Sequence, residues 1–247
     1  MTLSRETLRE LLISTGARLL EEEGLGSGAE RLTFKRVFDR LNQDQGIRVS
    51  NASVIGRIWT NNRDFQSEVL TRVVGDENPE EIRFTMEAAA AVLGEADVST
   101  LAGRRLGLSE ICRRGGAAHT GALADSRTWH LFIGIWGNLA SHPETEWDRR
   151  VLDAARATYE NLSTTFDGIF RGIMDVFRLR LRPGLTVRDF TVAVTALAEG
   201  CAMRSRIDER AMPTLTRPGP DGIEREWTLF SVGLEALVQQ FYDMDPD

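Results

Sequence analysis

Leu8, Leu11, Leu12, Leu19 and Leu20 recur at three- and four-residue steps behind Ser4, which predicts a first helix over about 4–23. Gly24 begins a run, Gly24-Leu25-Gly26-Ser27-Gly28, that no helix tolerates. Thr33 is placed to cap a second, short helix carrying Phe34, Val37, Phe38 and Leu41. A polar turn from Asn42 to Arg48 leads to Ser50 and Asn51, which can cap a third helix with Val54, Ile55 and Ile58 facing inward. Two short helices across a turn suggest a helix-turn-helix. Asn61 and Asn62 precede a fourth amphipathic segment with Phe65, Val69, Leu70 and Val73, and Gly75-Asp76-Glu77-Asn78-Pro79 then breaks the pattern. That break divides the chain into 1–75 and 76–247. Beyond it the periodicity predicts longer helices near 79–94, 99–124, 127–141, 144–181, 186–208 and 223–243, with a proline- and glycine-rich loop from Met212 to Gly222. Alternating apolar and polar runs are short and isolated, so the expected class is all-α with no strand.

Composition sets limits on this picture. The 247 residues, 42% of them hydrophobic, suffice for a sizeable core, and a net charge of −7 excludes a global polycation. The longest nearly apolar stretch, Leu131 to Ala140, is half the length of roughly 20 residues that a spanning helix requires. No membrane partner and a cytoplasmic location are therefore expected. Cys112 and Cys201 lie far apart and are expected as buried thiols. Charge is distributed unevenly, however. Within 31–63 the basic residues are Arg31, Lys35, Arg36, Arg40, Arg48, Arg57 and Arg63, against only Asp39 and Asp44. Such clustering in an acidic chain is what contact with phosphates requires, although a solvated arginine face has the same composition.

The residues around this cluster resemble the N-terminal domain of the TetR family of bacterial transcription regulators. The resemblance lies in Ala17, Leu20, Glu23 and Gly24 at the end of the first helix, Thr33 at the cap of the second, and Trp59, Asn61 and Phe65 leading into the fourth. Asp189, Leu197, Glu199-Gly200 and Asp208 are similar to the family's penultimate helix, and Gly233-Leu234-Glu235-Ala236-Leu237 to its last. The chain departs from the family at Gly56, where a tyrosine is usual, at Trp59 for phenylalanine, and at Asn62 for lysine. The turn between the second and third helices is also longer than usual.

The resemblance implies a three-helix DNA-binding domain followed by a helical domain that binds an effector and dimerises. Its DNA contacts are expected from Thr33, Lys35, Arg36, Arg48, Ser50, Asn51, Ser53, Arg57, Thr60, Asn61, Asn62 and Arg63. Arg48 and Arg57 lead that set, because a guanidinium donates twice to one acceptor pair. Phe190, Val194, Leu197, Ala198 and Cys201, with Phe230, Leu234, Leu237 and Phe241, fall at helical spacing and are expected to form a homodimer interface. The second part also carries two aromatic stripes, one through Trp129, Phe132, Ile133, Trp136 and Leu139, the other through Phe166, Ile169, Phe170, Ile173, Met174 and Phe177. With His130, Tyr159 and Cys201 these are the expected walls of a site for a small apolar effector, and periodicity alone does not separate a filled core from a hollow one.

Other signals are weak. The glycine run follows a helix and lacks the spacing of a phosphate-binding loop, and His119, His130 and His142 show no ligand-pair spacing. No nucleophile or acid–base set stands out, so no catalysis, metal or cofactor is expected. The sequence thus points to a repressor released from operator DNA by a small hydrophobic ligand. A helical ligand-binding or scaffold protein without DNA binding is the alternative, ahead of a helical enzyme.

Overall fold

The computed structural model describes residues 3–25, 31–75, 79–141 and 145–244. Their long elements are helices: α1 (Arg5–Glu23), α2 (Phe34–Gln45), α3 (Asn51–Val54), α4 (Asn62–Gly75), α5 (Pro79–Glu95), α6 (Leu101–Glu110), α7 (Gly116–Asp125), α8 (Arg127–Ser141), α9 (Glu146–Phe177), α10 (Val187–Ile207) and α11 (Leu229–Phe241). A π-helical segment, Ile111–Gly115, joins α6 directly to α7. The class is all-α. Among the described residues the only strands are short: β1 (Leu179–Leu181) pairs antiparallel with β4 (Tyr242–Met244), and β2 (Leu215–Pro218) with β3 (Glu224–Trp227). Gly26 to Gly28 of the glycine run, and His142, lie outside the described residues.

The chain forms two compact units, one of residues 1–77 and 127–160, the other of 78–126 and 161–247. In the first, the Ser4 hydroxyl accepts the Thr7 N–H at 3.1 Å to open α1, and the Thr33 hydroxyl accepts the Arg36 N–H at 3.4 Å to open α2. Gly46 closes α2 at φ +69, a left-handed cap that suits glycine. Leu12, Val37, Leu41, Val54, Phe65 and Val69 are wholly buried between these helices. α1 and α4 approach so closely at Gly16 that a Cβ there would lie 2.9 Å from Val69 Cγ2. Leu131, Phe132 and Ile135 of α8, with Val151 and Ala155 of α9, belong to the same core. The buried Thr158 hydroxyl donates to the Val74 carbonyl at 2.7 Å. A boundary at residue 75 leaves 127–160 with the C-terminal part, whereas the packing of α8 and the start of α9 groups that segment with α1 and α4.

The second unit holds α5 to α7, the rest of α9, α10, α11 and the four strands. Phe190 gathers the rings of Phe170, Tyr242 and Phe241 at centroid distances of 4.9, 5.0 and 5.4 Å. The helix expected over 144–181 ends at Phe177, because Arg178 turns to φ +52 and 179–181 pair with 242–244. The loop expected over 212–222 contains β2 and its turn, and the last helix begins at Leu229 where 223 was expected. Ion pairs fix that hairpin. Arg225 bridges Asp221 at 2.6 Å and Glu110 at 3.3 Å, and Arg217 stacks over the Trp227 ring at 4.5 Å while pairing with Glu235.

Candidate functional site

The expected recognition element is one helical turn. α3 stops at Val54 because Gly56 adopts φ +73, and its N–H donates to the Trp59 carbonyl at 2.8 Å, closing a tight turn. Val54 and Trp59 are buried and Ile58 is half-buried, but Ile55, expected to face inward, is 43% exposed. With the helix ended, nothing turns that residue back to the core. The Trp59 ring anchors the turn, 4.9 Å from Phe65 and 6.0 Å from Phe34.

The start of α4 is tied to the start of α2. Asn62 accepts the Phe34 N–H and donates to the Leu32 carbonyl, both at 3.0 Å, and Gln66 donates to the same carbonyl at 2.9 Å. Both ends of the Asn62 amide are therefore used internally, and this residue positions the motif instead of facing a ligand. Asn61 accepts the Asp64 N–H at 3.0 Å and Asp64 accepts the Thr60 N–H at 3.1 Å, a reciprocal cap on α4. Ser53 donates to the Ser50 carbonyl at 2.6 Å, so its hydroxyl holds the α3 turn. Thr33 caps α2.

The cations divide into two groups. Arg36 pairs with Glu23 and donates to the Arg31 carbonyl at 3.1 Å. Arg40 is held between Glu22 and Asp44 at 2.6 and 2.8 Å, and Arg63 lies 3.8 Å from Asp148. Arg31, Lys35, Arg48 and Arg57 are exposed and have no acidic partner among the described residues. Ser50, Asn51, Thr60 and Asn61 are exposed as well. The stretch offers four uncompensated cations and several short hydrogen-bonding side chains, ahead of and on α2 and on the turns flanking α3.

The residues expected to line an effector site separate between the units. Trp129, Phe132, Ile133, Trp136 and Tyr159 are buried or half-buried in the first, where Tyr159 meets Phe132 at 5.3 Å and Trp136 at 5.9 Å. His130 faces Trp129 edge-on at 5.1 Å. In the second unit Phe166 and Phe170 line a cavity of about 50 Å³, bordered also by Ile111, His119, Phe230 and Leu234. Met174 borders an adjoining crevice, whereas Phe177 is wholly buried and Cys201 is buried beside neither. His119 and the π-helical segment were not read as part of this site. The Gly115-Gly116 pair inside a helical pattern was the available signal, since a Cβ on Gly116 would meet Ser231 Oγ at 2.9 Å.

The His119 Nδ1 lies 3.0 Å from the Thr85 hydroxyl, and burial pushes the imidazole down to about 4 from its ordinary 6.5. Between those values the unfolded chain binds a proton that the folded chain refuses. Stability is therefore full above about pH 6.5 and falls by about 3 kcal/mol as the pH drops towards 4. Urea midpoints taken across that range should decline in the wild type and flatten in His119→Gln. An equally steep decline in the variant would count against a buried neutral imidazole.

Of the expected dimer residues, Phe190, Val194, Ala198, Cys201 and Phe230 are buried within their own unit and are core. Leu197, Leu234, Leu237 and Phe241 are half-buried, and Leu197 fills the space at Gly233, where a Cβ would approach it to 2.7 Å. The exposed side of α10 carries Val192, Ala196, Gly200, Met203 and Ile207 instead. Among the described residues no cluster of three or more His, Cys, Asp or Glu side chains is placed to hold a metal ion, and no helix is long and apolar enough to cross a membrane.

One solved structure aligns over 99% of this chain and 100% of its own length, with a TM-score of 0.52 and 14% sequence identity: a transcriptional regulator of the TetR family from Cytophaga hutchinsonii. The fold is TetR-like. No family model matches the chain, and no curated protein matches it in sequence.

Proposed function

We propose that this protein is a DNA-binding transcription regulator, a homodimer that represses from operator DNA and is released by a small apolar ligand. The observation that carries the reading is the set of exposed cations without acidic partners, Arg31, Lys35, Arg48 and Arg57, in the same stretch of chain where Arg36, Arg40 and Arg63 are paired with acids. Cations left without partners are available to replace the counterions of phosphates. Dimerisation is supported by the exposed apolar stripe Val192, Ala196, Gly200, Met203 and Ile207, which has small residues where a second helix would approach. Two copies would read a palindrome with half-sites one DNA turn, ~34–36 Å, apart or a multiple of it. The apolar cavity beside His119 supports an uncharged ligand, because its walls carry no formal charge.

The test is retention of DNA from the protein's own upstream region by the purified chain, followed as salt is raised. The reading expects specific retention that falls steeply with salt and a dimer in sedimentation at micromolar concentration. A folded protein that retains no DNA at low salt would instead favour a ligand-binding or scaffold role, the role to which the missing tyrosine and lysine at Gly56 and Asn62 also point.

A further inference from the structure

A hollow of about 250 Å³ lies in the second unit between α6, β1, the turn at Pro220, α11 and β4. Leu108 and Leu179 are buried in its walls, and Val238 and Met244 are half-buried beside them. On α6 Arg105 is followed at i+3 and i+4 by Leu108 and Ser109, and on α11 Glu235 is followed at the same steps by Val238 and Gln239, so each helix turns one face to the hollow. The exposed residues that line it are Arg105, Pro220 and Gln239, and these form its mouth. It shares no lining residue with the cavity next to His119.

Two formal charges border this space, and they differ in how they are met. Glu235 is buried with both oxygens engaged, Oε1 by the Ser109 hydroxyl at 2.6 Å and Oε2 by Arg217. That carboxylate is balanced within the protein and requires no cation from a ligand. Arg105 is exposed and has no acidic partner among the described residues, and the Gln239 amide has no hydrogen-bond partner among them. An unmet guanidinium at the mouth of an apolar hollow suits one negative charge on an apolar body, because a carboxylate accepts two parallel N–H donors and the Gln239 amide adds another. A phosphate dianion would leave one charge unmet near Glu235, and a cation would be repelled by Arg105. An apolar cavity of about 150 Å³ takes up benzene, so about 250 Å³ suits a body of about six to ten carbons.

We propose that this hollow binds a monocarboxylate, with the carboxylate held by Arg105 and Gln239 at the mouth and the apolar body packed against Leu108, Leu179, Val238 and Met244. The site is additional to the uncharged-ligand cavity at His119 and does not depend on the DNA-binding reading.

The experiment is calorimetric titration of the full chain, without DNA, at neutral pH, with butyrate, hexanoate, octanoate and 1-octanol. Octanoate should bind, and affinity should fall about two- to fourfold for each methylene removed. The uncharged 1-octanol should bind about tenfold more weakly than octanoate. Arg105→Gln should lower octanoate affinity about tenfold and leave that of 1-octanol unchanged. Val238→Phe should fill the hollow and abolish octanoate binding, with Met244→Trp as a second block should the first variant fail to fold. The proposal is overturned by absence of octanoate binding to the folded wild type, by octanoate affinity indifferent to Arg105→Gln, or by equal losses of octanoate and 1-octanol in that variant. Octanoate binding that survives a folded Val238→Phe or Met244→Trp chain would overturn it as well, since the acid would then sit elsewhere.

Discussion

Trp59→Ala should lower the unfolding free energy of the first unit by about 3–5 kcal/mol, and DNA retention should go with it. The side chain is 3% exposed and lies against Phe34 and Phe65, so truncation leaves a large hole in a core that already packs α1 against α4 at van der Waals distance. It also frees the turn whose closing bond runs from the Gly56 N–H to the Trp59 carbonyl, and with it the presentation of Arg57. Trp59→Phe should be much milder, about 1–2 kcal/mol, because the indole N–H is buried without an acceptor and its removal offsets part of the lost volume. Urea denaturation followed by circular dichroism reads both. A Trp59→Ala midpoint close to the wild type would mean that the ring is not the anchor.

Arg48→Ala combined with Arg57→Ala should weaken DNA binding by about 2–6 kcal/mol, on the basis of about 1–3 kcal/mol for each guanidinium that reads a base edge. If the two contact phosphates instead, the loss is smaller and the slope of log affinity against log salt falls by about 2. Arg40→Ala is the matched control. It removes the same charge, but from a guanidinium already engaged by Glu22 and Asp44, and affinity should hardly change. Its loss of a surface ion-pair network should cost little stability. Should Arg40→Ala weaken binding as much as Arg57→Ala, the division between paired and unpaired cations would carry no functional meaning.

The helical class and the caps at Ser4 and Thr33 were legible because each is a local signal, a short side chain just ahead of an apolar period. The length of α3 was not. Val54, Ile55 and Ile58 fit a helical face, and only the left-handed Gly56, a backbone choice made together with the burial of Trp59, ends it after four residues. Antiparallel pairing of 179–181 with 242–244 joins segments some sixty residues apart, so no window along the chain reveals it. The same limit applies to the aromatic stripes. α8 and the second half of α9 each show one apolar face, but which core that face enters is decided by tertiary packing, and the two faces entered different units. On α10 the spacing of Phe190, Val194 and Cys201, expected at a dimer interface, shows an apolar side but not that this side enters the unit's own core while Val192 and Ile207 stay exposed on the other.

Lys35, exposed in the first turn of α2, carries the only primary amine on any side chain of the protein, every other basic residue being arginine. Chemistry directed at amines therefore has a single side-chain address, and that address stands among the groups assigned to DNA. Brief acylation of the folded chain, read as one mass increment on the peptide that contains Lys35, becomes a gauge of whether the surface is covered. The increment should be lost when operator is bound and return when it dissociates, whereas the thirty-seven acids and the arginines stay silent to the reagent.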